Sequence, residues 1–166
     1  MIVHKNPYFK IFYKKNFYIY SPNRPEVLVL PVVDKKNFLL IKCKRVILGK
    51  SIYEFPAGSV NLKEKIIDGA KREFQEETGI LLKKNKFFKL NKIYQIPNRN
   101  PKLIHVYGVN LKREQIIYNN YDKSEVDKVI IVSLNKILKM VKLGEFNTSV
   151  PVAILFNYLI KFNLFR

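Results

Sequence analysis

Apolar positions along the chain first recur at the period of strands, change to the period of a helix, and then change back. Between Tyr8 and Tyr20, YFKIFY and FYIY stand on either side of KKN and predict a β-hairpin of aromatic and β-branched residues. EVLVLPVV from Glu26 and NFLLIKCK from Asn37 predict two more strands joined by DKKN. The first is so continuously apolar that both its faces should be covered. SIYEF from Ser51 predicts another short strand, which Pro56 and Gly58 terminate. From about Lys65 to Thr78 the spacing becomes helical, with Ile67, Ala70 and Phe74 at i, i+3 and i+7 as the buried stripe. Gly79 then takes the left-handed position that ends a helix.

KFFKLNKIYQI, LIHVYGVNL and DKVIIVSL predict further strands. Ser133 is placed to cap a helix whose apolar face is Leu134, Ile137, Leu138 and Val141, closed by Gly144. A last helix should open near Thr148 and Pro151, because proline is tolerated in a first turn. Strands do not alternate regularly with helices, so the expected architecture is an α/β/α sandwich around a mixed β-sheet rather than a doubly wound parallel fold. The 166 residues fit one domain, 1–166, with no repeat or low-complexity tract.

Charge raises a second question. The chain carries 31 Lys and Arg against 13 Asp and Glu, a net charge of +18. That excess suits a polyanionic partner or an anionic small substrate. Lysines spread along the whole chain, together with abundant Ile, Asn, Tyr and Phe, equally suit a solvated surface shaped by an AT-rich genome. The single cysteine, Cys43, excludes an intrachain disulfide framework and suits a reducing compartment. No signal-peptide pattern opens the chain, and the most apolar stretch, VPVAILFNYLI, is too short to span a membrane. The expected location is cytoplasmic, with no membrane partner.

In so basic a chain the carboxylates are conspicuously gathered. Glu64, Asp68, Glu73, Glu76 and Glu77 lie close together, and on the expected helix Glu73, Glu76 and Glu77 share one side. Like charges at helical spacing cost stability, and Gly69 one turn earlier adds a further penalty. Such violations of local preference mark a functional site. A hard divalent cation compensates them: Mg²⁺ takes oxygen ligands and is completed by waters and substrate phosphates.

The stretch resembles the Nudix box, G-x5-E-x7-R-E-U-x-E-E-x-G-U with U apolar. Gly58, Glu64, Arg72, Glu73, Phe74, Glu76, Glu77, Gly79 and Ile80 fill every specified position. The resemblance implies a Nudix-type α/β/α sandwich and a hydrolase of nucleoside diphosphates linked to another moiety, working with Mg²⁺ or with Mn²⁺ as substitute. It implies Glu73 and Glu77 as principal metal ligands, Glu76 as a direct or water-mediated one, and Glu64 near the metal. Arg72 would orient these carboxylates through charge-assisted hydrogen bonds.

YEFPAG, just before the box, is similar to the E-x-P-A-G of ADP-ribose and ADP-sugar pyrophosphatases. By that likeness the carbonyl of Ala57 completes a metal site and Glu54 shapes the pocket. LLIKCKR is similar to a strand ending in a phosphate-facing arginine, here Arg45, and SEVDKVIIVSL to a segment whose loop glutamate, here Glu125, acts on the attacking water. The subgroup's Pro-Gly turn and following acid are replaced by IPNRNPKLIHVY, which puts Arg99 and Lys102 beside the expected pocket and favours extra phosphate. The likeness also implies a homodimer, with the hairpin at about 8–20 as its contact. Tyr53, Tyr94 and Tyr107 are candidates to stack a base or to fill the core, and His4 and His105 have no metal-ligand spacing.

The expected function is therefore Mg²⁺-dependent cleavage of a nucleotide sugar, ADP-ribose first, to a nucleoside monophosphate and a sugar phosphate. Two alternatives stand beside it. One is the same chemistry on NTPs, dinucleoside polyphosphates or 5′-phosphorylated RNA, and the other is a non-catalytic nucleotide- or RNA-binding module.

Overall fold

In the computed structural model, which describes residues 1–116 and 120–164, a seven-stranded mixed sheet runs through the centre of the molecule. In front of it stand β1 (Ile2–Lys5), β2 (Phe9–Lys14) and β3 (Phe17–Pro22), which form a separate antiparallel sheet. The hairpin expected here thus gains a third strand. IVHK is too short and too exposed to announce itself by alternation, and it is held by pairing to β2. The β2–β3 turn is tight because Lys15 and Asn16 both take positive φ, 48° and 64°.

The central sheet contains β4 (Glu26–Val33), β5 (Asn37–Arg45), β6 (Lys50–Glu54), β7 (Ala57–Ser59), β8 (Phe87–Ile96), β9 (Asn100–Leu111) and β10 (Val126–Ser133). Its main path is β10-β5-β4-β9-β8, with β6 on β5 and β7 on β4. The β4–β9 pair is parallel and the others antiparallel. β9 begins at Asn100, ahead of the run LIHVYGVNL, because the turn after β8 closes within a few residues and Ile96 already pairs Asn100.

Alternation in β4 works as expected. Val27 and Val29 enter one core with Ala70, Phe74 and Ile80, while Leu28, Leu30 and Val32 enter another with Ile137, Ile154 and Leu155. The first core lies under α1 (Ile66–Thr78); the second lies under α2 (Leu134–Lys142) and α3 (Ser149–Lys161). Layers on both faces make this the α/β/α sandwich. Gly69 does not leave its helix face open, since a Cβ there would come within 2.9 Å of the Val60 side chain.

One irregularity positions the site. β4 and β5 share only two rungs, Val32↔Phe38 and Val33↔Asn37. Beyond them β5 turns its edge to β6, with Ile41↔Glu54, while β4 takes β7, with Leu28↔Ala57. The strands splay, and the short segment joining β6 to β7 crosses the opening.

Candidate active site

The box residues are held by α1 and by the segment that precedes it. Arg72 is the hub. Its Nε and Nη2 each donate to Glu64 at 3.2 Å, its Nη1 donates to Glu73 at 2.8 Å and to Glu76 at 2.9 Å, and its Nη2 also donates to the Ser59 carbonyl at 2.8 Å. One guanidinium thus orients three carboxylates and fastens the helix to the loop before it. Glu64 also accepts from the Asn61 N–H at 2.8 Å, and the Arg72 hydrogen bonds draw its carboxyl below the usual range.

Glu77 lies deeper, only 6% exposed, and accepts the Ala57 N–H at 2.7 Å. Burial pushes its carboxyl up to about 8, with the Glu73 charge adding to the effect and the Ala57 hydrogen bond opposing it. Burial also raises Glu73, against the pull of Arg72. Gly58 is where Glu73 needs room: a Cβ there would sit 2.2 Å from the Glu73 Oε2. At the helix end Gly79, with φ of 74°, lets the chain turn, and a Cβ on it would meet the Asn120 backbone at 2.8 Å.

The loop that carries Glu125 is anchored to both α1 and β5. The Asp122 N–H donates to the Glu76 carbonyl at 2.8 Å, and the Lys44 N–H donates to the Glu125 carbonyl at 3.0 Å. Glu125 is exposed, and its charge is among those raising both Glu73 and Glu77, so loop and helix bring these carboxylates together. Its neighbours are engaged elsewhere: Asp122 accepts from Ser124, and Asp127 pairs with Ser51 and Lys44.

A cleft of about 390 Å³ opens at the splayed strands. Arg45, Glu54, Ala57 and Gly58 line it, so its wall includes the two residues whose backbones touch Glu77 and Glu73. Arg45 is ion-paired with Glu54. Arg99 and Lys102 are turned toward the N-terminal sheet instead. Arg99 stacks 5.1 Å from the Phe17 ring and reaches the Tyr18 carbonyl, while the Lys102 ammonium donates to the Pro22 carbonyl. Neither lines the cleft, because the turn before β9 packs on β3.

Tyr107 is core, Tyr53 has the Lys42 ammonium against its ring, and Tyr94 is exposed. Cys43 is buried, and burial with the Glu77 charge pushes its thiol up to about 12, which leaves it inert. The cleft also contains Glu26, Gln95, Thr148 and Ser149, which belong to no motif. A lone polar residue at the start of an apolar strand was the only signal for Glu26.

The family assignment rests on sequence. A model of the NUDIX domain matches residues 22–149. The chain belongs to the Nudix family. Phosphatase NudJ of Shigella boydii serotype 4 (strain Sb227) is 31% identical over 116 residues, 70% of this chain and 73% of that protein. Phosphatase NudJ of Escherichia coli (strain K12) is 30% identical over the same shares. The crystal structure of an ADP compounds hydrolase superposes with a TM-score of 0.70 at 18% identity, covering 97% of this chain and 91% of that one. This Nudix domain is a hydrolase.

Among the described residues no three acidic, His or Cys side chains converge closely enough to hold a metal as they stand. Arg72 supplies the positive charge between Glu64, Glu73 and Glu76 in this arrangement. The donor chemistry nevertheless fits a hard divalent cation: Glu73 and Glu77 are desolvated oxygen donors with raised proton affinity, and Glu125 stands near both.

Proposed function

We propose that this Nudix hydrolase is a Mg²⁺-dependent pyrophosphohydrolase that cleaves a nucleoside diphosphate joined to a second moiety. ADP-ribose or another nucleotide sugar is the substrate, and a nucleoside monophosphate and a sugar phosphate are the products. The observation that carries the reading is the junction of cleft and helix. Ala57 and Gly58 form part of the cleft wall while Glu77 and Glu73 lie directly behind them. At about 390 Å³ the cleft is in the size range of pockets for small molecules.

Glu73, Glu77 and the Ala57 carbonyl would hold the cation, with Glu64 and Glu76 contributing through Arg72 or water. A divalent cation bound there would supply neutralisation of the diphosphate and a more acidic water. Arg45 leaves Glu54 to orient a phosphate. Glu125 takes the proton of the attacking water, as a loop carboxylate can once substrate is in place. The structural neighbour's name, ADP compounds hydrolase, supports the substrate class.

A second reading has its own support. The curated relatives, nearer in sequence at about 30% identity, are named phosphatases, which favours a longer anion such as an NTP, a dinucleoside polyphosphate or the 5′ end of RNA. Arg99 and Lys102, which the sequence appeared to add to the pocket, lend it no further weight. The non-catalytic module is disfavoured by the intact box.

The test is product release from ADP-ribose, other nucleotide sugars, dinucleoside polyphosphates, NTPs and 5′-triphosphorylated RNA, with Mg²⁺ and with EDTA. Selective turnover of a nucleotide sugar, lost in EDTA and in Glu77→Gln, is expected. Preference for polyphosphates or RNA supports the second reading, and binding without turnover supports the silent module. We further propose a cytoplasmic homodimer joined through the N-terminal sheet, whose exposed Tyr8, Tyr18 and Tyr20 offer the contact. Among the described residues no helix is long and apolar enough to cross a membrane.

A further inference from the structure

The cleft has two chemically different ends. Arg45 and Glu54, beside the box, form one; Glu26, Gln95, Thr148 and Ser149 form the other. At the second end two polar groups lack partners of the kind their positions demand.

Glu26 opens β4 and is half-buried, yet no donor among the described residues is hydrogen-bonded to its carboxylate. Lys102, whose charge acts on Glu26, gives its ammonium to the Pro22 carbonyl. Burial raises the Glu26 carboxyl, and Lys102 opposes this only in part. Thr148 is the N-cap of α3, where a threonine side chain ordinarily accepts from the first turn. Its carbonyl accepts the Val152 N–H at 3.1 Å, but its hydroxyl makes no capping bond. The Thr148 Oγ1 is also buried without any hydrogen-bond partner. The Thr148 hydroxyl is sealed from solvent, whereas the Glu26 carboxylate lines the open cleft, and a half-buried carboxylate without a donor is completed by a ligand that brings one.

Resting on the nucleotide-substrate reading above, we propose that Glu26 forms a specificity subsite for paired neutral hydrogen-bond donors on the substrate. A carboxylate repels phosphate, so this end holds the part of the substrate away from the diphosphate. Its two oxygens match two adjacent donors, which a nucleotide sugar supplies as the vicinal hydroxyls of a ribose or as the N1–H and N2–H₂ edge of guanine. Adenine fits poorly, because its amino group is flanked by acceptor nitrogens that would face the second oxygen.

The test compares wild type, Glu26→Gln and Thr148→Val on matched substrates: ADP-ribose against its analogues with 2′-deoxy in either ribose, and GDP-mannose against IDP-mannose, which lacks the amino donor. Wild type should prefer the donor-complete member of one pair by roughly 10- to 100-fold in kcat/KM, as hydrogen bonds to a charged partner allow. Glu26→Gln should reduce that preference below about threefold, with the loss falling in KM for the donor-complete member, since only binding common to ground and transition states is removed. Thr148→Val, which removes the sealed hydroxyl, should keep the wild-type preference. The pair that responds identifies ribose or guanine as the source.

Equal preference in all three proteins, or a uniform fall in kcat on every substrate, would overturn the subsite. Turnover of no compound by wild type would instead sink the functional reading. Calorimetric titration of the same compounds in EDTA then reads the subsite independently. Tighter binding of the donor-complete member, lost in Glu26→Gln, supports it; equal binding, or binding of none, overturns it.

Discussion

Glu77→Gln should change how the metal-free protein responds to pH, and the change can be worked from its burial. The Glu77 carboxyl moves from an ordinary 4.5 to about 8 because the folded chain strips water from it. A carboxyl with a raised folded pKa binds its proton more tightly when folded. Its contribution is therefore fully present below about 4.5 and is lost as pH rises through about 8. At about 1.4 kcal/mol per pH unit the whole effect is about 5 kcal/mol, of which about 2 kcal/mol falls between pH 6 and pH 8.

For a domain of this size that corresponds to about 4–8 °C in Tm. Thermal melts in EDTA at pH 6 and pH 8 should thus show wild type losing several degrees relative to Glu77→Gln, whose neutral amide has no proton to lose. Titrating groups that do not interact with Glu77 cancel in the comparison. Mg²⁺ should restore more stability to wild type at pH 8 than at pH 6, because proton and cation compete for one carboxylate. Parallel pH dependences in the two proteins would refute the argument that Glu77 is desolvated as described.

Three further outcomes are expected. Gly58→Ala should displace the Glu73 carboxylate, which its Cβ would meet at 2.2 Å, and lower kcat about 100-fold while circular dichroism shows an intact fold. Glu125→Gln should lower kcat by roughly 100-fold or more with KM nearly unchanged, as loss of a general base does, whereas Asp122→Asn should not; steady-state kinetics on both variants checks the distinction. Tyr18→Glu with Tyr20→Glu should convert a dimer to a monomer in sedimentation velocity, if the N-terminal sheet is the contact, because buried unpaired charges are not tolerated at an interface.

The layers were legible because each depends on local periodicity. β4 alternates between two cores, and α1 carries an apolar stripe at helical spacing with Glu73 and Glu77 along its edge. The relation of Arg72 to Glu64, Glu73 and Glu76 was equally readable from spacing along one helix and its preceding loop. What depended on pairing between distant segments was not. Nothing in LVLPVV says that only its last two residues hold β5, and nothing in IPNRNPK says that Arg99 and Lys102 fold back onto β3. Glu26 and Thr148 escaped for the same reason. Each is unremarkable beside its neighbours in sequence, and the missing partners are visible only in three dimensions.

The splay of β4 from β5 also bears on how such an enzyme diverges. The opening comes from backbone pairing, with two rungs on one side and new partners, β6 and β7, on the other. The carboxylates come from α1, while the far wall comes from the first residues of β4 and α3. Selection can therefore rewrite the far wall without disturbing the helix that carries the box. On the proposed reading, a lineage can exchange one substrate for another through substitutions at positions such as 26, 95 and 149, keeping its box at every step.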